Sequence, residues 1–181
     1  MRQIKSLFAL TKPRLVLMVL VTVCAGFYLA SEEGTTNWAS LINLLLGTAL
    51  TAGGSLALNQ YMERDIDGIM GRTQSRPLPS RQLSPTKALL FGITITTLGQ
   101  LYLFFTVNIL ASTVIFAVIF TYLLIYTPLK RKNPISTFFG SISGALPPVA
   151  GWVAVTGQIN RESWVLFGIL FLWQLPHSLA L

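Results

Sequence analysis

Residues 38–81 read WASLINLLLGTALTAGGSLALNQYMERDIDGIMGRTQSRPLPSR and set the architecture of the chain. The run Trp38–Tyr61 is apolar and long enough to cross a bilayer, which takes about 20 mostly apolar residues. The overlapping stretch Asn59–Arg81 is the most polar in the chain and combines carboxylates, arginines and prolines. These residues predict a membrane-spanning helix that leads directly into a charged loop.

The composition of the whole chain supports a membrane protein. Hydrophobic residues make up 52% of it and charged residues only 10%, whereas an average soluble domain carries about 25% charged residues. The net charge of +7 does not indicate nucleic-acid binding, because the basic residues form short clusters between long apolar runs. We therefore predict an all-α, polytopic transmembrane helical bundle with membrane lipid around it and no nucleic-acid partner.

The apolar runs predict six membrane spans, all within a single domain that covers residues 1–181. The predicted spans are Leu15–Ala30, Trp38–Tyr61, Ala88–Val107, Ile109–Tyr126, Ile135–Val155 and Trp164–Leu181. The link at Asn108 is so short that the third and fourth spans should form a tight hairpin.

The distribution of basic residues predicts the orientation of these spans. With the N-terminus inside, twelve of the 13 Lys and Arg residues fall on the cytoplasmic side, and Arg161 falls outside. The twelve are Arg2, Lys5, Lys12, Arg14, Arg64, Arg72, Arg76, Arg81, Lys87, Lys130, Arg131 and Lys132. A bacterial cytoplasmic (inner) membrane is the expected location, with the mitochondrial inner membrane as the alternative.

Three side chains at the start of the charged loop have the spacing of a metal site. Asn59, Glu63 and Asp67 lie four residues apart, so they share one face if the helix continues to Asp67. Oxygen ligands of this kind suit Mg²⁺, which takes one or two carboxylates and completes its shell with water and phosphate oxygens. Asp65 points elsewhere on the same helix.

The arginines that follow match the chemistry of phosphate binding. Arg72, Arg76 and Arg81 carry guanidinium groups whose fork geometry matches phosphate oxygens, and Pro77 and Pro79 end any helix there. Spacing alone leaves a second interpretation open, in which the segment is a solvated connector with internal salt bridges.

Three stretches resemble a known enzyme family. Asn59–x₃–Glu63–x₃–Asp67 resembles the first aspartate-rich motif of the UbiA-type intramembrane prenyltransferases, although the family more often has Asp where this chain has Glu63. RDIDGIMGRTQSRPLPS is similar to the heme O synthase (protoheme IX farnesyltransferase) branch of that family. The segments Tyr126–Gly157 and Phe171–Leu181 match the same branch, so the resemblance covers essentially the whole chain.

The resemblance implies a fold, a reaction and a set of site residues. It implies a bundle of usually nine transmembrane helices that transfers a farnesyl group from farnesyl diphosphate to the 2-vinyl group of heme B. The product, heme O, serves terminal oxidase assembly, so contact with proteins of heme A synthesis or oxidase assembly is expected. Asn59, Glu63 and Asp67 take the positions of the Mg²⁺–diphosphate motif. The inferred diphosphate contacts are Arg72, Arg76, Lys130 and Arg131.

The family pattern also has a second aspartate-rich loop, downstream of the segment that resembles Phe171–Leu181. We therefore expect this chain to be the N-terminal part of a longer protein, with about six of the nine spans. His177 is the only histidine and lies in an apolar span, where ionisable residues are functional candidates. It is a candidate heme ligand; the alternative is a neutral histidine bonded to a neighbouring helix.

Three other functions compete with this interpretation. One is another UbiA-type prenyltransferase with a quinone-precursor or chlorophyll-type acceptor. A second is a transporter or channel fragment, which would place carboxylates inside the spans, whereas Glu63, Asp65 and Asp67 lie at or beyond a span end. The third is an inactive half-protein that only binds a partner chain.

Overall fold

A computed structural model describes residues 2–32 and 36–179 of the chain, and all regular secondary structure in these residues is helical. The helices are α1 (Arg2–Leu10), α2 (Pro13–Ala30), α3 (Trp38–Asp67), α4 (Pro85–Thr106), α5 (Ile109–Phe120), α6 (Thr127–Leu129), α7 (Ser136–Thr156) and α8 (Arg161–Leu179). A π-helical segment, Thr121–Tyr126, joins α5 to α6. The predicted all-α class is confirmed.

Five helices in the described ranges are long and apolar enough to cross a membrane. They are α2, α3, α4, the continuous run Ile109–Leu129 and α7. The sixth predicted span forms as helix α8, but α8 is not among these five. Helix α3 is longer than its predicted span, since it continues beyond Tyr61 to Asp67.

Short polar residues begin three of the membrane helices. Asn37 caps α3 by accepting a hydrogen bond from the Ser40 amide at 3.1 Å. Ser84 caps α4, and Asn108 caps α5 by accepting from the Ala111 amide at 2.7 Å. These side chains satisfy backbone donors that have no partner inside the helix. Gln100 of α4 donates to the Ser112 hydroxyl of α5 at 2.8 Å, so the two helices fold back on each other and the predicted hairpin at Asn108 is confirmed.

Helices α2 and α7 pack closely at two glycines. A Cβ atom on Gly26 of α2 would collide with the Pro148 carbonyl of α7, and one on Gly151 of α7 would collide with the Val23 carbonyl of α2. Small residues allow helix backbones to approach in a membrane, where van der Waals packing stabilises the contact. The α2–α7 contact fixes one side of the bundle.

Three connecting segments meet at the C-terminal end of α3. The Gln60 side chain donates to the Leu10 carbonyl at 2.8 Å, which attaches the end of α1 to α3. Arg131, in the link between α6 and α7, donates to the Met62 carbonyl at 2.6 Å. The loop between α3 and α4 folds back onto the bundle through buried Leu78 and Leu83. Most of the polar groups singled out from the sequence lie at this end.

Candidate functional site

The C-terminal part of α3 carries three buried polar side chains on one face. Asn59 is 1% exposed, Glu63 7% and Asp67 5%. The Asp65 side chain, on another face of the same helix, is 76% exposed and approaches Arg64 at 3.8 Å. The prediction that Asn59, Glu63 and Asp67 share one face of the helix is therefore confirmed. These three residues form the α3 polar face.

Each carboxylate of the α3 polar face has a cation from another segment. Lys130 Nζ lies 2.5 Å from Glu63 Oε1, and Arg76 Nη1 lies 2.6 Å from Asp67 Oδ2. A buried carboxylate without a partner is strongly destabilising. These two ion pairs therefore connect α3 to the loop before α4 and to the end of α6.

The π-helical segment sets the register of the residues that contact Asn59 and Glu63. Thr127 Oγ1 donates to the Tyr122 carbonyl, five residues earlier, at 2.8 Å. The same hydroxyl accepts a hydrogen bond from Asn59 Nδ2 at 3.1 Å. Lys130 follows Thr127 by three residues and so lies on the same side of the chain. Short π-helical segments often occur at functional sites, but no residue pattern in this chain predicted one here.

Local hydrogen bonds in the loop after α3 bring Arg76 to Asp67. The Thr73 hydroxyl donates to the Asp67 carbonyl at 2.8 Å, and the Arg76 amide donates to the Thr73 carbonyl at 3.0 Å. Thr73 is buried, and so is Leu78 two residues after Arg76. The loop therefore returns to α3 in a defined conformation, which a freely solvated connector would not require.

Lys12 also lies near the α3 polar face, and it was not among the predicted site residues. It occupies the corner between α1 and α2 with φ 47°, in the left-handed region. Burial lowers the pKa of Lys12 to about 8; Arg76 adds to this effect, and Glu63 and Asp67 oppose it. Two sequence features could have pointed to it: its place directly before Pro13, the first residue of α2, and its membership of the basic residues predicted on the cytoplasmic side.

The remaining predicted residues lie at the edge of the site or outside it. Arg72 is exposed, and it is absent from the ion pairs and hydrogen bonds of the described residues. Arg131 is exposed and contacts the α3 backbone at Met62. Arg81 is exposed, with φ 56°. His177 belongs to α8, but its side chain lies outside the described residues.

The donor set of the α3 polar face suits a cation that also binds a substrate. Among residues 2–32 and 36–179, no group of three or more His, Cys, Asp or Glu side chains is placed to hold a metal ion. The face offers two carboxylates and one amide. Mg²⁺ fits such a set when water and phosphate oxygens complete its shell. These three side chains could hold Mg²⁺ only together with oxygen ligands from elsewhere, such as water or a phosphate group.

Residues 19–181 of the chain match the UbiA prenyltransferase family. The chain belongs to this family. Membership agrees with the apolar helices, so the chain is an integral membrane protein. The predicted family resemblance is therefore confirmed.

Several bacterial relatives of this UbiA chain are named protoheme IX farnesyltransferase. The one from Sorangium cellulosum (strain So ce56) is 43% identical, over 91% of this chain and 63% of its own length. The one from Aquifex aeolicus (strain VF5) is 42% identical, over 96% of this chain and 60% of its own length. The chain thus spans about 60% of the length of these relatives.

One solved structure shares the fold of this UbiA chain. It is described as a UbiA homolog from Archaeoglobus fulgidus bound to DMAPP and Mg²⁺. The TM-score is 0.76, and the match covers 96% of this chain and 62% of that chain. The sequence identity is 17%, so this likeness shows the fold alone.

Replacing Lys130 tests whether the Glu63–Lys130 pair stabilises the fold. Lys130→Met leaves the buried Glu63 carboxylate without its cation, and because Lys130 is about a third exposed we expect a loss of roughly 1–2 kcal/mol in the free energy of unfolding. Adding Glu63→Gln should restore at least half of that loss. Denaturant unfolding in detergent measures both, with exposed Lys132→Met as the control. Additive losses in the double variant would contradict a stabilising pair.

Proposed function

We propose that the whole encoded protein joins the farnesyl group of farnesyl diphosphate to the 2-vinyl group of heme B, with addition of one water molecule and release of diphosphate, which yields the hydroxyethylfarnesyl group of heme O. The observation that carries the proposal is the α3 polar face, where two buried carboxylates and an amide meet cations from two other segments. The names of relatives about 40% identical to the chain support heme B as the acceptor.

In this proposal Asn59, Glu63 and Asp67 hold Mg²⁺ together with the diphosphate. The bound ion supplies positive charge that stabilises the leaving group, as metal ions do in phosphate chemistry. The donor set supports this role, because two carboxylates and an amide leave room for phosphate oxygens. The structural relative described with DMAPP and Mg²⁺ is consistent with the same pairing of ion and substrate.

The basic residues of the site bind the remaining phosphate charge in this proposal. Arg76 and Lys130 already lie at the α3 polar face, so a diphosphate bound there is within their reach. Arg131 and Arg72 lie further out and would contact the diphosphate from the loop side. Fixed positive groups of this kind stabilise negative charge as the allylic carbon–oxygen bond breaks. In this proposal the apolar helices keep bulk water from the allylic carbocation until the vinyl group attacks it, and water then adds to the carbon next to the porphyrin.

The orientation of the site also belongs to the proposal. The N-terminal segment, the α3–α4 loop and the α6–α7 link, together with the helix ends next to them, carry twelve of the 13 basic residues, which supports a cytoplasmic position for all three. The bacterial relatives favour the cytoplasmic membrane over the mitochondrial inner membrane. Contact with proteins of heme A synthesis or oxidase assembly stays a prediction.

Two aspartates of α3 provide a matched test of the active site. In the whole encoded protein, Asp67→Asn should reduce heme O formation about 100-fold or more, because it weakens both the metal site and the contact with Arg76. Asp65→Asn removes an equal charge from the exposed side of the same helix and should leave the rate within about twofold. Heme O and heme B are separated chromatographically in membrane extracts supplied with farnesyl diphosphate.

The outcomes of this test separate the competing functions. Equal activity of the two aspartate variants would show that Asp67 is not a ligand of the metal ion. If the native protein prenylates an aromatic quinone precursor and leaves heme B unchanged, the acceptor is the quinone precursor and not heme B. The absence of any prenyl transfer by the native protein would contradict the proposed enzyme.

His177 is proposed as a heme contact, and heme titration tests it. His177→Leu should lower the affinity of the detergent-solubilised protein for heme B about tenfold or more, because an axial imidazole ligand is lost. The Soret absorbance measures the binding. Gln174→Leu, one turn earlier on α8, is the control. An unchanged titration in His177→Leu would leave only a packing role for this histidine.

A further inference from the structure

The corner between α1 and α2 holds Lys12 in a conformation that lysine rarely adopts. Its φ of 47° and ψ of 66° place it in the left-handed region, where a side chain crowds the backbone. Residues in sparsely populated conformations persist only where the surrounding structure determines them, and they cluster at functional sites. The residues around Lys12 therefore indicate which functional role this conformation supports.

The chain is fixed on both sides of Lys12. On one side, Leu10 is fully buried and its carbonyl accepts the hydrogen bond from Gln60 at 2.8 Å. Gln60 is 2% exposed and follows Asn59 on α3. On the other side, Pro13 begins α2 and locks its own φ. Lys12 thus occupies a position that α3 itself determines.

The charges around Lys12 are those of the candidate site. Glu63, Asp67, Arg76 and Lys130 all act on its ammonium group electrostatically. The two carboxylates already have Lys130 and Arg76 as partners in the ion pairs of the site. With Lys12, three cations and two carboxylates interact electrostatically at this end of the bundle, which leaves one positive charge in excess. A partly buried excess charge of this kind favours the binding of an anion.

We propose that Lys12 is a further diphosphate-binding residue, and that Gln60 is a positioning residue that holds the α1–α2 corner against α3. The inference rests on the proposed function, because it names an additional cation for the same diphosphate. It extends the site to a third segment of the chain, beyond the α3–α4 loop and the end of α6.

Binding of inorganic pyrophosphate with Mg²⁺ to the whole encoded protein in detergent tests the role of Lys12. By calorimetry, Lys12→Met should weaken pyrophosphate binding about tenfold, as expected when a hydrogen bond between charged groups is lost. Lys12→Arg should recover most of that affinity. Lys5→Met, on the exposed face of α1, should bind like the native protein.

The variant Lys12→Gly separates the effect of the lost positive charge on binding from any effect on the stability of the fold. Glycine relieves the left-handed strain, so the midpoint of thermal unfolding should stay the same or rise while pyrophosphate affinity falls about tenfold. A residue with only a structural role would not move these two readouts in opposite directions. This variant decides the question even if Lys12→Met folds poorly.

The role of Gln60 is tested by a double variant. Gln60→Leu should weaken pyrophosphate binding, and it should cause little further loss when Lys12→Met is already present, because it acts through Lys12. Fully additive losses would overturn the positioning role. Native-like pyrophosphate affinity in both Lys12→Met and Lys12→Gly would overturn the role of Lys12 while the proposed function stands. No pyrophosphate binding by the native protein would overturn the proposed function and this inference with it.

Discussion

The ion pairs between the α3 polar face and Lys130 and Arg76 are the interactions on which the rest of the site depends. Glu63 and Asp67 are buried, and a buried carboxylate persists only with a close cation or hydrogen-bond donors. The need for these partners draws the loop after α3 and the end of α6 to one end of the bundle. Thr127, Thr73 and Gln60 then connect the same helix end to its surroundings. The geometry of the site follows from a small number of charges in an apolar bundle.

The apolar bundle makes this arrangement rigid. Helices α2 and α7 touch at Gly26 and Gly151, where a larger residue would collide with backbone. Helix α3 crosses the bundle and ends at Asp67, so the α3 polar face is an extension of a membrane helix and not part of a flexible loop. Sites on regular elements hold their side chains more closely than sites on loops. The proposed metal–diphosphate site would benefit from this rigidity, because its ligands must converge on one ion.

Much of the fold and part of the site could be predicted from the sequence. Apolar runs located the helices, and the spacing of Asn59, Glu63 and Asp67 predicted their shared face, because both features follow from helical periodicity. The π-helical segment could not be predicted, since its register depends on tertiary contacts such as Thr127 with Asn59. Lys12 was missed as a site residue for the same reason: it is distant in sequence and reaches the site through the left-handed corner after α1. Arg72 was predicted from guanidinium chemistry and from the family pattern; it lies on the exposed side of its loop, and its contact with diphosphate stays a prediction.

Glu63 and Asp67 are proposed to hold the metal ion of the site. A crystal structure of the whole encoded protein, grown with pyrophosphate and with Mn²⁺ in place of Mg²⁺, tests this directly. Anomalous scattering from Mn²⁺ locates the ion without reference to the assumed site. We expect a peak about 2–2.5 Å from carboxylate oxygens of Glu63 and Asp67, with the pyrophosphate beside it and within reach of Arg76 and Lys130. Mn²⁺ and pyrophosphate bound elsewhere, with both ion pairs of α3 unchanged, would contradict it.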